Sequence, residues 1–353
     1  GVSSLEEAIK FFQDEAFKES CKFKNVHPLF ENVIEINGEK YVPNVNFELD
    51  FSDVMGQTRA KRACVIAATG MHNLIFEGSP GCGKSMCAKR LVFIMPPQNL
   101  TEILNAAAYR SLNLQDSEFS CVRAFRSPHH TSTKSSIFGG GSNVAKIGEI
   151  ALANGGVLFF DEFPHFSKQI IESLREPLED NKIHIARVNS KVTYETKFIF
   201  VAAQNPCPCG NLLSTDLNCR CSENEIKQYK SRISEPIMDR IDLHVQMEES
   251  RNAERDKITS KQMSEQVLRA FKFQKMRAQS EPNGKLSDSD VTKFCLLQDD
   301  AKDALDTATQ RYALSQRGVK KVLKVARSIA DIDESEKIAR SHILEALSFR
   351  VRS

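Results

Sequence analysis

The feature that most constrains this chain is the glycine-rich run GSPGCGKS at residues 78–85, which follows the apolar stretch 73–77. Its spacing, G-x-x-x-x-G-K-S, is typical of a phosphate-binding loop between a buried strand and a helix. Backbone N–H groups of such a loop converge on an anion at the helix N-terminus. Lys84 is then placed to reach the β- and γ-phosphates, and the Ser85 hydroxyl to bind Mg²⁺. With ATP and Mg²⁺ as cofactors, the predicted nucleotide-binding residues are Gly78, Ser79, Pro80, Gly81, Cys82, Gly83, Lys84 and Ser85.

The composition favours an ordinary globular protein over a membrane protein or a strongly basic one. The 353 residues are 41% hydrophobic and 27% charged, with a formal net charge of +2. No apolar run approaches the ~20 residues that a bilayer-spanning helix needs, and no secretory signal pattern is evident. We therefore expect a cytoplasmic protein with no membrane partner. Because the net charge is small, any nucleic-acid contact must come from local basic loops.

Strand and helix patterns divide the chain into three predicted parts. Residues 1–50 are expected to form a short helix, at 3–18, and an irregular linker. Between 51 and 248, short apolar strands alternate with helices, which predicts an α/β fold with a parallel sheet covered by helices. From 249 to 353 a polar linker leads into helices, including one at 317–330, and predicts a helical domain. The expected core strands are 73–77, 120–124, 157–161 and 198–203.

Polar side chains follow the last two of these strands. Asp161 and Glu162 end the apolar run GGVLFFDEF, a pattern by which a strand tip presents acids to Mg²⁺. Asp161 is predicted to hold the Mg²⁺ shell, and Glu162 to orient and polarise the water that attacks the γ-phosphate. Asn205 follows the last strand, where its amide could hydrogen-bond the γ-phosphate or the water. The alternatives are a solvated acidic turn and an ordinary Asn-Pro turn.

Two segments interrupt the alternation of strands and helices. Residues 129–146 contain a glycine triplet and several serines and threonines, which disfavour a helix. Residues 182–197 have two β-prone arms around Asn189-Ser190, which predicts a hairpin. Each segment is most simply a surface loop or hairpin, and each could also contact a ligand.

Four of the ten cysteines crowd into CPCGNLLSTDLNCRC, as Cys207, Cys209, Cys219 and Cys221. Without a secretion signal, a metal site explains such a cluster better than disulfides do. Four thiolates suit tetrahedral Zn²⁺, although two C-x-C pairs are not the common spacing. Reduced free thiols are the alternative, and an iron–sulfur cluster is a more distant one.

Eight segments resemble, in this order, the magnesium-chelatase-like AAA+ ATPases of the ComM/YifB type. They are DFSDVMGQTRAKRACVIAATGMHNLIFEGSPGCGKS, FRSPHHT, FGGGS, GVLFFDEF, LREPLED, VAAQNPCPCG, RISEPIMDRIDLHV and ALSQRGVKKVLKVARSIADI. The resemblance extends from Phe51 to the C-terminus. It implies an AAA+ P-loop core with a parallel sheet, followed by a helical lid. It also implies a homo-hexameric ring with ATP bound between subunits.

The resemblance further implies two catalytic arginines. Arg240, in DRID, is expected to be the finger that reaches the γ-phosphate of a neighbouring subunit, and Arg317 to be the lid arginine acting in its own subunit. A planar guanidinium suits both roles because it can pair two phosphate oxygens at once. The alternatives are a salt bridge of Arg240 with Asp239 or Asp242, and Arg327 serving in place of Arg317.

In this branch of AAA+ proteins, segments such as 129–146 and 182–197 point toward the pore of the ring. A channel that tracks a phosphate backbone is lined by basic side chains. The implied partner is single-stranded or branched DNA. For each basic residue the alternative is simple solvation at the surface. The candidate contacts are Lys134, Lys146, Arg187 and Lys191.

The favoured function is a ring-forming, ATP-hydrolysing motor that acts on DNA, as a helicase or branch-migration enzyme in natural transformation or recombination. The alternative is a protein-remodelling ATPase resembling the magnesium chelatase motor subunit. A nucleotide-regulated assembly module is disfavoured, because Glu162 is useful chiefly for hydrolysis. Departures from the family pattern are Lys321 in place of an arginine and Ser85 in place of the commoner threonine. Residues 1–50 are expected to be the remnant of a missing N-terminal domain that resembles the proteolytic part of Lon.

Overall fold

The computed structural model describes residues 4–20, 29, 31–113, 119–140, 147–186, 191–214, 216–248 and 258–350. The strands in these ranges are β1 Ile34–Ile36, β2 Glu39–Val42, β3 Leu74–Gly78, β4 Gln98–Asn99, β5 Phe125–Arg126, β6 Val157–Phe160, β7 Lys182–Ala186, β8 Lys191–Glu195, β9 Ile199–Gln204 and β10 Leu243–Met247. The α-helices in the same ranges are α1 Leu5–Gln13, α2 Glu15–Ser20, α3 Thr58–Gly70, α4 Lys84–Ile94, α5 Leu100–Leu112, α6 Lys134–Phe138, α7 Glu149–Leu152, α8 Lys168–Ser173, α9 Arg175–Asp180, α10 Glu223–Lys230, α11 Glu235–Met238, α12 Ser260–Met276, α13 Asp288–Phe294, α14 Asp299–Arg311, α15 Gln316–Ile332 and α16 Arg340–Ser348.

A five-stranded parallel sheet forms the centre of the molecule, with the strand order β10-β3-β9-β6-β5. All residues of β6 and β9 are buried, because helices cover both faces of the sheet. This burial explains why these strands are continuous apolar runs rather than alternating ones. The predicted α/β class and the central strands are confirmed.

Two strands differ from the prediction. The expected strand at 120–124 is replaced by the short β5, because the buried Arg123 donates hydrogen bonds to the carbonyls of Pro96, Pro97 and Gly155. Pairing with β6 begins only at Ala124, whose carbonyl accepts from Val157 N–H. The edge strand β10 was not among the predicted strands. Its buried residues alternate with more exposed ones, so its sequence lacks the continuous apolar run that marks the central strands.

The C-terminal helices pack on helices α3 and α4, which themselves cover one face of the sheet. Val267 of α12 and Val322 of α15 belong to the same buried cluster as Ile66 of α3 and Leu91 of α4. Helix α15 spans the predicted helix at 317–330 and buries the expected apolar side of that helix. The helical character of this part of the chain is confirmed, whereas the division at residues 50 and 248 stays a prediction.

The described residues that precede the sheet form more regular structure than the predicted irregular linker. Helix α1 begins after Ser4, whose Oγ accepts from Glu7 N–H at 3.2 Å. Strands β1 and β2 then form an antiparallel hairpin around Asn37 and Gly38, which have φ angles of 52° and 78°. An Asn-Gly pair favours this turn because both positions need positive φ. Tyr41 is buried with its ring centroid 5.1 Å from that of Phe271 in α12, so the hairpin packs on the helical region.

The two interrupting segments have different outcomes. Strands β7 and β8 form the predicted antiparallel hairpin. In the other segment a short helix, α6, forms where the composition disfavours one, because Thr133 caps it and its own residues Ile137 and Phe138 are buried.

Across the described ranges, every helix is too short or too polar to cross a membrane.

Candidate ATP site

The phosphate loop lies between β3 and α4, as the sequence predicts. Gly78 ends the strand, and Gly83 caps the helix with a φ angle of 95°, which favours glycine. A Cβ atom at Gly78 would lie 2.6 Å from the Met247 carbonyl oxygen and 2.8 Å from Cys82 Sγ. The lack of a side chain at Gly78 therefore lets the loop turn tightly beside β10.

The side chain of Lys84 joins the phosphate loop to the end of β9. Its ammonium donates to the carbonyl oxygens of Gly78 at 2.5 Å and Ser79 at 2.9 Å, and to Asn205 Oδ1 at 3.2 Å. Burial lowers the pKa of Lys84 from its usual value. The geometry thus brings Lys84 and Asn205 together, although 121 residues separate them.

The start of α4 also contacts the end of β6. Ser85 Oγ donates to Asp161 Oδ2 at 2.8 Å, so a hydroxyl and a carboxylate oxygen lie side by side. Mg²⁺ takes oxygen ligands of this kind while keeping several waters. Because these two oxygens are adjacent, the residues present fit the magnesium site that the sequence predicts.

Glu162 follows Asp161 and is more than half exposed. Its φ angle is 49°, an uncommon conformation for a residue other than glycine and one that recurs at functional sites. His130 Nδ1 lies 3.7 Å from Glu162 Oε2, and the His130 ring lies 4.1 Å from that of His129. The motif FRSPHHT contains both histidines, but no pattern in the sequence alone indicates that His130 would meet Glu162.

The two expected catalytic arginines meet at one carboxylate. Arg240 Nη2 lies 3.0 Å from Glu179 Oε2, and Arg317 donates to the same oxygen. Arg240 also donates to the Pro236 carbonyl at 2.7 Å. The closest acid to Arg240 is therefore Glu179 of α9, rather than one of the aspartates beside it in the sequence. Glu179 lies in LREPLED, and sequence reasoning gave it no role.

These arginines lie near the amino-terminal edge of the sheet. The Arg240 carbonyl accepts from Asn73 Nδ2, and Asn73 immediately precedes β3. The phosphate loop begins at the other end of β3, about 16 Å away for five extended residues. Arg240, and Arg317 with it through Glu179, thus lie toward the edge of the sheet opposite the phosphate loop of their own chain.

The neighbouring basic residues of α15 have structural partners. Arg327 is fully buried and binds Asp331, whereas Arg317 is partly exposed. Lys321 donates to Asp242 Oδ1 at 2.6 Å. Burial of Asp242 raises the pKa of its carboxyl, but the positive charge of Lys321 outweighs burial and holds this pKa well below its usual value.

The four clustered cysteines converge on one point beside the phosphate loop. Their sulfur atoms all lie within 4.8 Å of one another, and Cys207 Sγ lies 3.4 Å from Cys209 Sγ and 3.7 Å from Cys219 Sγ. These distances are too long for disulfides. Tetrahedral zinc with 2.3 Å bonds would separate its sulfurs by about 3.8 Å. The N–H groups of Asn211 and Arg220 hold the pKa of Cys209 at about 6.

Among the four candidate DNA contacts, Lys134 alone has a described side chain, which is exposed at the start of α6. Lys191 begins β8, but its side chain lies outside the described part of the structure. Lys146 and Arg187 lie outside the described residues altogether. A DNA-binding role for these four residues stays a prediction.

Comparison with known protein families identifies the family of this chain. Residues 50–255 match the family described as magnesium chelatase, subunit ChlI, and residues 257–350 match the C-terminal region of the same subunit. The chain belongs to the magnesium chelatase ChlI family. ChlI-family proteins are AAA+ ATPases, so the parallel sheet, the phosphate loop and the following helical region form an AAA+ fold.

Relatives of this ChlI-family chain include proteins of the expected ComM/YifB type. The competence protein ComM of Haemophilus influenzae is 37% identical over 342 residues, which cover 91% of this chain and 66% of ComM. YifB of Salmonella typhimurium is 38% identical over 309 residues, covering 85% of this chain and 60% of YifB. A protein of Oryza sativa named "Probable DNA helicase MCM9" is 24% identical over 191 residues, 54% of this chain and 24% of its own. The chain thus spans less than two thirds of each of these relatives.

Proposed function

We propose that this chain is the motor part of a ring-forming ATPase that hydrolyses ATP and acts on DNA. The observation that carries the ATPase proposal is the convergence of Lys84, Ser85, Asp161 and Asn205 at the carboxyl edge of one sheet. Lys84 would neutralise the β- and γ-phosphates, and Ser85 and Asp161 would hold Mg²⁺, which would supply further charge neutralisation at the phosphates. Glu162 orients the water and accepts its proton.

We infer a ring from the positions of the two arginines. Arg240 and Arg317 share Glu179 at the edge of the sheet opposite their own phosphate loop. A head-to-tail contact that closes into a ring brings this edge against the phosphate loop of a neighbour. We infer that both arginines serve the neighbouring site, which for Arg317 differs from the own-subunit role that the family resemblance implies.

Two observations support DNA as the substrate of the motor. ComM is named as a competence protein, and a more distant relative is named as a DNA helicase. Lys134 is exposed on the interrupting segment that is expected to face the pore. Remodelling of a protein partner is the second candidate, and the family name favours it because ChlI is a subunit of magnesium chelatase.

ATP hydrolysis measured with and without branched DNA tests this choice. We expect DNA to raise the rate of ATP hydrolysis severalfold, since a motor that moves along DNA couples its ATP hydrolysis to DNA binding. In the same series, Lys134→Ala should weaken DNA binding and flatten its salt dependence, because fewer counterions are released. Lys272→Ala, which removes an exposed lysine of α12, is the matched control. A rate of ATP hydrolysis that no form of DNA changes would favour the protein-remodelling alternative.

We further propose that the four clustered cysteines bind one Zn²⁺ per chain. Zinc would supply a tetrahedral cross-link and no step of the hydrolysis. Elemental analysis of protein purified without chelator should find about one zinc per chain. Cys219→Ser should lose this zinc, whereas Cys121→Ser, at a free cysteine outside the cluster, should keep it. Metal-free wild-type protein that also fails to take up added zinc would refute the assignment.

A further inference from the structure

The loop that carries the cysteines rests on the phosphate loop. Gly210, between Cys209 and Asn211, has a φ angle of 81°. A Cβ atom at this position would lie 2.7 Å from Cδ and 2.9 Å from Cγ of Pro80. Pro80 is the third residue of GSPGCGKS, and its ring cannot move without the loop backbone. The Gly210 backbone therefore packs directly against the wall of the nucleotide site.

The same turn is tied to the lysine of the phosphate loop. Asn205 accepts from Lys84 Nζ and lies two residues before Cys207, whose side chain is buried. The Gly210 N–H donates to the Cys207 carbonyl at 3.0 Å, which closes the turn. One short turn thus contacts the phosphate loop twice, through Asn205 and through Gly210.

Little regular structure holds this turn in place. Between Asn205 and Ser222 the described residues form no helix or strand. Regular structure resumes in α10, and the Tyr229 hydroxyl of this helix contacts the backbone of Asn205 at the start of the segment. A cross-link through Cys207, Cys209, Cys219 and Cys221 would close this segment, whose described residues form turns but no helix or strand.

We propose that zinc at the cysteine cluster fixes the phosphate loop in its nucleotide-binding shape, so that zinc occupancy sets the affinity for nucleotide. This inference rests on the proposed ATP and zinc sites. Without the cross-link, the turn must be ordered at the moment of binding, and the ordering costs affinity. Thermodynamic linkage requires the reverse effect as well: bound nucleotide must raise the affinity for zinc by the same factor by which zinc raises the affinity for nucleotide.

The test compares ADP binding to zinc-loaded and chelator-stripped protein by calorimetry, with circular dichroism as a check on folding. Stripped protein should bind ADP about tenfold more weakly. Gly210→Ala retains all four cysteines but places a methyl group against Pro80, and should weaken ADP binding to a similar extent with zinc still bound. Gly38→Ala is the matched control, since Gly38 has a φ angle of 78° and open space around its Cβ position.

Equal ADP affinity of folded loaded and stripped protein would overturn the proposal, as would wild-type affinity in zinc-loaded Gly210→Ala. If stripping unfolds the chain, the zinc affinity measured with and without ADP decides, and an affinity that ADP leaves unchanged overturns the coupling. Failure of loaded wild-type protein to bind ADP at all would instead remove the ATP site on which the inference rests.

Discussion

Replacing Glu162 with glutamine should leave ATP tightly bound and slow its hydrolysis at least ~100-fold, the scale of losing a positioned general base. Glu162 follows the carboxylate that contacts Ser85, so it lies beside the expected magnesium site. Glutamine keeps the size of the side chain but cannot accept a proton from the attacking water. Single-turnover hydrolysis of ATP, with ATP binding measured in parallel, separates these two effects.

Two further variants serve as reference points for the Glu162→Gln measurement. Lys84→Ala should abolish ATP binding itself, because the buried ammonium is the cation at the centre of the phosphate loop. Glu265→Gln removes the charge of an exposed glutamate on α12, away from the site, and should behave as wild type. Retained hydrolysis in Glu162→Gln would remove Glu162 from the role of base.

Replacing Arg240 with alanine should lower ATP hydrolysis about 10³-fold or more, the usual effect of losing an arginine finger. Lysine at this position should rescue little, because an ammonium lacks the planar fork that pairs two phosphate oxygens. Arg269→Ala, at an exposed arginine 3.5 Å from Glu334, is the matched control and should leave the rate unchanged. Steady-state hydrolysis at saturating ATP, with the assembly state measured alongside, checks the effect. A rate for Arg240→Ala within a few-fold of wild type would exclude the finger role.

Local patterns in the sequence predicted the phosphate loop and the strand that precedes Asp161. Each is a contiguous run whose apolar residues, glycines and terminal polar residues reflect one strand and its carboxyl end. The hairpin at β7 and β8 followed from the same kind of local signal. The hairpin at Asn37-Gly38 was missed although its turn signal is present, because the flanking strands are short.

Contacts between distant segments could not be predicted in this way. Arg240 and Arg317 meet at Glu179, which lies far from both in the sequence. The Gly210–Pro80 contact joins two loops that the sequence presents separately. The His130–Glu162 approach depends on the neighbouring positions of β5 and β6 in the sheet. No periodicity or spacing encodes these distances, which arise from the order of the strands and from the packing of the helices around them.

Mixing two inactive variants tests most directly whether ATP is hydrolysed at a boundary between subunits. An Arg240→Ala subunit keeps its own phosphate loop and base, and a Glu162→Gln subunit keeps its finger. Random co-assembly of equal amounts pairs an intact base with an intact finger at about a quarter of the boundaries of a ring. We predict that hydrolysis reappears in the mixture well above the sum of the two variants. No recovery in mixtures shown to co-assemble would contradict the shared site and place the action of Arg240 within its own subunit.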